Sequence, residues 1–269
     1  MKRTRSKDGT AIAFEWLGKG PGLIIVGGAL STRSFVVSEI EAAGDAGLAR
    51  HFTVFAYDRR GRGESGDATL YAAEREVEDI DALIAQAGGS AFVFGHSSGA
   101  VLALEAARLL PNRITKLALY EPPFLLDGSR PPLPEGFQAQ LERLVASGRR
   151  GDAVEYFMTA AVGTPGEIVA QMRNSPPWPG FEKDAHTLVY EGILMGDTLR
   201  GKPSSIKRWA SVSVPTLVMD GGASPEFMHH AVEALVDVLP NAQHRRFPGL
   251  GHAVPQEVLT PALVEFFLG

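Results

Sequence analysis

The 269-residue sequence predicts an α/β fold, a mostly parallel central sheet with helices on both faces. Three observations carry this expectation. Short apolar runs alternate with amphipathic stretches, the pattern of βαβ units. The early runs at 23–26, 53–57 and 91–94 each give way to Gly, Asp or His, residue types that suit loops at the carboxyl edge of a parallel sheet. The composition, 45% hydrophobic and 21% charged, is that of a chain that buries a sizeable core.

Taken in order, residues 2–6 and 10–17 flank an Asp8-Gly9 turn and read as an antiparallel hairpin at a sheet edge. Strands follow at 23–26, 53–57 and 91–94. The stretch 70–87 places acidic residues toward its start and aliphatics at helical spacing, whereas 98–110 is apolar on nearly every face and must be buried on all sides. Residues 114–120 form the next strand. After Glu121 the βα rhythm stops for about 90 residues, far longer than an ordinary connection of about 2 to 6. This insertion, 122–210, is proline-rich near 122–134 and 176–179 and holds helical patterns near 137–147 and 153–161. The rhythm resumes with a strand at 215–220, a helix over about 225–239, a strand near 243–247 and a final helix from about 256. Residues 1–121 and 211–269 are therefore expected to form the α/β core.

Composition also narrows function. With 26 Lys and Arg against 31 Asp and Glu the chain carries a formal charge of −5, which makes nucleic acid and anionic membrane poor partners. No apolar run reaches the roughly 18 residues of a spanning helix, and the basic N-terminus lacks an apolar signal core. A cytoplasmic protein acting on a small molecule, as a monomer or homodimer, is expected. The absence of cysteine excludes disulfides, thiolate metal sites and a cysteine nucleophile. Covalent chemistry must use another side chain.

Gly95-His96-Ser97-Ser98-Gly99, between an apolar strand and a buried helix, is G-x-S-x-G in its confirming context. The turn is so sharp that the residues two before and two after the serine must lack bulk. Ser97 is lifted above the sheet at a helix N-terminus, where N–H groups and the helix dipole favour a developing anion. His252 is the best placed of seven histidines to serve as its base, following the last strand on the Gly-rich turn 249–251.

With these residues, the sequence resembles the α/β-hydrolase family over nearly its whole length. Residues 57–65 (YDRRGRGES) resemble the family's D-x-R-G-x-G-x-S loop, 214–218 (VPTLV) its seventh strand, and Gly249-Leu250-Gly251-His252 its histidine loop. The resemblance implies the order Ser, acid, His, and a lid where the insertion falls. It also implies an acid in a G-x-x-D stretch after the seventh strand, yet this chain reads Gly221-Gly222-Ala223-Ser224. In some members the acid instead ends the sixth strand, where Glu121 stands here; Asp220 is the alternative. The oxyanion hole would use the Ser98 N–H and that of Gly28 or Ala29, Gly28 being preferred, in a loop resembling the family's H-G-x with Val26 in place of His. Related dehalogenases and epoxide hydrolases use Asp at the elbow, so Ser97 favours an acyl-enzyme.

Two other motifs carry no such context. Gly61 to Gly66 matches G-x-G-x-x-G but is not the first βα turn, and the P-loop-like stretch 196–202 has Pro203 where a hydroxyl is needed. A serine hydrolase cleaving a small, largely apolar ester or lactone is expected, without cofactor or metal. Phe124, Phe157, Met158, Trp178 and Leu194 are candidates to line its acyl pocket or to form the lid's own core. The alternatives are a thioesterase, a C–C bond hydrolase or a metal-free perhydrolase on the same residues, or a receptor of this fold with little turnover.

Overall fold

The structure is a computed structural model that describes all residues except Thr69. The strands are β1 (Lys2–Arg5), β2 (Ala11–Leu17), β3 (Gly22–Val26), β4 (Thr53–Tyr57), β5 (Ala91–His96), β6 (Ile114–Tyr120), β7 (Thr216–Gly221) and β8 (Ala242–Phe247). They form one eight-stranded sheet in the order β1-β2-β4-β3-β5-β6-β7-β8. Strand β1 pairs antiparallel with β2 and β2 antiparallel with β4, and the other five pairings are parallel.

Alternation along the strands divides the core. In β3, Ile24 and Val26 enter one apolar cluster and Leu23 and Ile25 the other, as the period of two requires. The first cluster is covered by α2 (Ala73–Gln86), α3 (Ser98–Leu109) and α9 (Glu226–Val238). The second is covered by α1 (Arg33–Ala42) and α10 (Gln256–Leu268). Helix α3 is buried along nearly its whole length, as its all-round apolar character predicts. The helix expected over 70–87 begins three residues later, because Ala72 is still extended at φ −146° and Leu70 is exposed.

Five short α-helices lie between β6 and β7: α4 (Phe137–Ala146), α5 (Arg150–Phe157), α6 (Gly166–Met172), α7 (Trp178–Asp184) and α8 (Leu188–Met195). The pattern at 153–161 splits. Helix α5 passes into a π-type turn over Met158–Val162, which Gly163 ends at φ 84°. Of the apolar candidates, Phe157 and Trp178 pack with Phe137, Leu141 and Leu188 in the insertion's own cluster, and Met158 flanks it. Phe124 and Leu194 instead belong to the main core, where Phe124 stacks on Trp209 with ring centroids 5.2 Å apart. Both ends of the insertion are thus anchored in the α/β core. Among the described residues, no helix is long and apolar enough to cross a membrane.

Candidate active site

Three neighbouring parallel strands, β3, β5 and β6, deliver residues to the same carboxyl edge of the sheet. Beyond them lie Leu30 at φ 59°, Ser97 at φ 57° and Glu121 at φ 46°, and these are the only non-glycine residues with positive φ among the described residues. Such backbone costs about 1–3 kcal/mol per residue and persists only where the surroundings impose it. At Ser97 the imposition is visible. A Cβ on Gly99 would run into the carbonyl oxygens of Val26 and Gly27, and one on Gly95 would lie 2.6 Å from the Gly99 oxygen. The turn needs both glycines, as the sequence implied. The Ser97 N–H donates to the Tyr120 carbonyl at 2.9 Å, tying the elbow to the end of β6.

Glu121 is fully buried. Its Oε2 lies 2.6 Å from His252 Nδ1, and its Oε1 accepts from the Gly221 N–H at 2.8 Å and from the Ser224 hydroxyl. Burial raises the carboxyl's pKa, but the bonds from His252, Ser224 and Gly221 outweigh it and hold the group below the ordinary carboxylate value. An ionised Glu121 accepts the His252 Nδ1–H, which leaves the lone pair of the neutral imidazole on Nε2. The His252 loop is itself fixed: the Tyr120 hydroxyl donates to the Gly251 carbonyl at 2.6 Å. A side chain on Gly221 would collide with the Leu250 carbonyl.

Asp220, the alternative acid, is directed elsewhere. It is buried and bonded to His229 Nδ1 at 2.6 Å, His244 Nε2 at 2.8 Å and Arg246 Nε at 2.9 Å. The structure therefore joins His252 to Glu121. Ser224 was not singled out in the sequence. Its signal was the position itself, a serine where the resemblance leads one to expect an aspartate, and its hydroxyl now binds the carboxylate that stands at the end of β6.

Gly28 abuts the elbow, since a Cβ there would lie 2.9 Å from the Ser97 Cβ. Among the described residues, no backbone or side-chain acceptor takes the N–H of Gly28, Ala29 or Ser98. Unpaired donors beside a serine hydroxyl are what a developing oxyanion requires.

His96, the middle residue of Gly95-His96-Ser97, stacks between Tyr120 and His252, with ring centroids 5.6 and 4.6 Å away, and its Nε2 lies 2.9 Å from the His252 carbonyl oxygen. Burial, reinforced by the neighbouring His252, pushes its pKa from 6.5 down to about 4. The neutral ring donates Nε2–H to that carbonyl. The linkage sign follows. As pH falls from 6.5 to about 4 the unfolded chain takes up a proton that the folded chain refuses, so a penalty on stability accrues across that window and is complete below it. His96→Gln, whose amide can donate to the same carbonyl, should flatten the fall in melting temperature between those pH values, measured by calorimetry against wild type.

The comparisons with known proteins agree with this architecture. The sequence model described as "Alpha/beta hydrolase family" matches residues 23–264. The crystal structure of an alpha/beta hydrolase from Sphaerobacter thermophilus superimposes with a TM-score of 0.90 at 52% identity, covering 99% of this chain and 100% of that one. The enol-lactonase from Burkholderia xenovorans shares the fold at a TM-score of 0.70 and 19% identity over 100% of both chains. Lipase LipV of Mycobacterium tuberculosis is 26% identical over 224 residues, 78% of this chain and 81% of that protein. With a mostly parallel sheet, a serine on the sharp turn after β5 and a family match over residues 23–264, the chain belongs to the alpha/beta hydrolase family and is a hydrolase.

Proposed function

We propose that the chain is a serine hydrolase that cleaves a small, largely apolar carboxylic ester or lactone through an acyl-enzyme. Ser97 is the nucleophile, His252 its general base and Glu121 the acid that holds the imidazole tautomer. The observation that carries this reading is the convergence of positive-φ backbone at Leu30, Ser97 and Glu121 on one sheet edge, with His252 bonded to Glu121 there. Strain gathered at one place without a structural need is a mark of a working site.

In the first step His252 Nε2 takes the Ser97 proton as Oγ attacks the ester carbonyl carbon. The carbonyl oxygen becomes an oxyanion, bound by the Ser98 N–H and that of Gly28 or Ala29. Glu121 stabilises the imidazolium without itself taking the proton. His252 then protonates the departing alkoxide, and a water activated by the same nitrogen releases the acid. The helical insertion acts as a lid over this edge. The similarity to a lipase supports an ester substrate, and the direct Glu121–His252 bond supports turnover over a receptor of this fold.

A fluorophosphonate probe and p-nitrophenyl esters from acetate to octanoate test this. The expected outcome is one phosphonyl adduct on the peptide containing Ser97 and turnover of about 1 per second or more on a short-chain ester. Turnover below about 0.01 per second on every ester and thioester, with ligand-induced thermal stabilisation and no adduct, would establish the receptor instead.

A further inference from the structure

Three of the four positions 59–62 in the loop after β4 carry arginines that are almost completely buried, Arg59, Arg60 and Arg62 around Gly61. Arg60 turns away from the site, holding Asp79 through Nε and Nη2 at 2.8 and 2.7 Å. Arg59 and Arg62 turn toward β3. Arg59 grips Glu76 of α2 with Nε and Nη2, at 2.7 and 2.6 Å, and sends Nη1 to Glu191 Oε1 at 3.0 Å and to the Gly27 carbonyl at 3.4 Å. Arg62 donates through Nη1 to the Gly28 carbonyl at 2.6 Å and through Nη2 to the same Glu191 oxygen. Glu191 belongs to α8, within the insertion, and is 2% exposed.

In a trans peptide the N–H points opposite to the carbonyl that precedes it. Arg59 at the Gly27 carbonyl therefore fixes the direction of the Gly28 N–H, and Arg62 at the Gly28 carbonyl fixes that of Ala29. These are the two candidates for the second oxyanion donor, beside the Ser98 N–H. The same loop is gripped from its other end, where Leu30 packs into the insertion's apolar cluster. Stability alone is a poor reason for such a cluster, because buried ion pairs are often replaced by apolar residues of similar volume without loss.

We propose that Glu191, acting through Arg62 and Arg59, positions the oxyanion peptides, so that helix α8 of the insertion sets the rate of the chemical step and does more than cover the site. This rests on the serine-hydrolase reading. Glu191 and Arg62 are positioning residues; neither needs to touch substrate. Without Glu191, Arg62 is a buried cation beside a like charge, and it gives up the Gly28 carbonyl when it moves toward water.

The test compares Glu191→Gln, the double variant Arg62→Met/Glu191→Met, and Asp79→Asn, which breaks a buried arginine pair that bonds neither Gly27 nor Gly28. The readouts are melting temperature, kcat and KM on a p-nitrophenyl ester, and inhibition by a trifluoromethyl ketone, whose serine adduct carries an oxyanion. Removing one oxyanion donor typically costs 10²–10³ in rate, and misplacing one should lower kcat about 10- to 100-fold. Glu191→Gln and the double Met variant are expected to show that loss with KM within about threefold, and the ketone should weaken by the same factor. Asp79→Asn should lose melting temperature but keep kcat within about twofold.

The double variant removes Arg62 and Glu191 together and leaves Arg59 paired with Glu76, so it answers the question even where Glu191→Gln fails to fold. Wild-type kcat in the double variant, or a fall in kcat with unchanged ketone inhibition, overturns the positioning role while leaving the hydrolase reading intact. A wild type that neither labels at Ser97 nor binds the ketone overturns both.

Discussion

Ser97→Ala should abolish fluorophosphonate labelling and lower kcat on the best ester by about 10⁴- to 10⁶-fold. The chain contains no cysteine, and the other hydroxyl at the elbow is poorly placed to compensate. Ser98 opens α3, is 5% exposed, and its Oγ is buried without a partner. Its contribution to the proposed chemistry is its backbone N–H, which Ser98→Ala retains, so that variant should still label. A companion substitution separates chemistry from backbone. Ser97 sits at φ 57° and ψ −127°, a conformation that glycine adopts freely and other residues do not. Ser97→Gly should therefore be as inactive as Ser97→Ala yet more stable than it, by about 1–2 kcal/mol in chemical denaturation. A glycine variant no more stable than the alanine variant would mean that the elbow is relaxed and that strain is no guide to this site.

Much of the fold was legible because period-two alternation and all-round apolarity are local signals. The strands from 53–57 and 114–120 stand where the pattern placed them, and so does the buried helix after Ser97. The candidate site residues Ser97 and Glu121 stood out because each directly follows a strand, and His252 because it closes the Gly-rich turn after the last one. What the sequence hid depends on contacts between distant segments. Helices α6, α7 and α8 span only seven or eight residues each, too short to hold themselves together, and they exist because Trp178 and Leu188 pack against α4 and α5. Phe124 and Leu194 read as pocket-lining or as the lid's own core because sequence alone does not say that both ends of the insertion return to the main core. The partners of Arg62 were invisible, since Gly28 and Glu191 lie 34 and 129 residues away.

The second large effect is expected at Glu121. In Glu121→Gln the amide oxygen can still accept from the Gly221 N–H and the Ser224 hydroxyl, so the loops around β7 should hold their places. Toward His252 the side chain then presents an N–H₂ donor, which selects the imidazole tautomer with its lone pair on Nδ1 and its proton on Nε2. That tautomer cannot take the proton from Ser97, and a loss of about 10⁴-fold in kcat is the expected outcome. Asp220→Asn should behave in the opposite way. It weakens the bonds to His229, His244 and Arg246 and lowers the melting temperature, but kcat should stay within about threefold because none of these groups reaches His252. Steady-state kinetics that reversed this order would move the acid to β7. A third variant asks why the carboxylate tolerates its place at the end of β6. Ser224 bonds Glu121 Oε1 from the position where the family resemblance implies an aspartate. In Glu121→Gln/Ser224→Asp a carboxylate returns to the β7 side of the same imidazole and should recover at least about tenfold of the lost rate. In the wild-type background Ser224→Asp should do the reverse. Two carboxylates within hydrogen-bond reach cannot both stay ionised, so one takes up a proton and the hold on His252 weakens. Opposite signs for one substitution in two backgrounds would show that Glu121 and residue 224 share a single job, with Ser224 supporting the carboxylate from the β7 side.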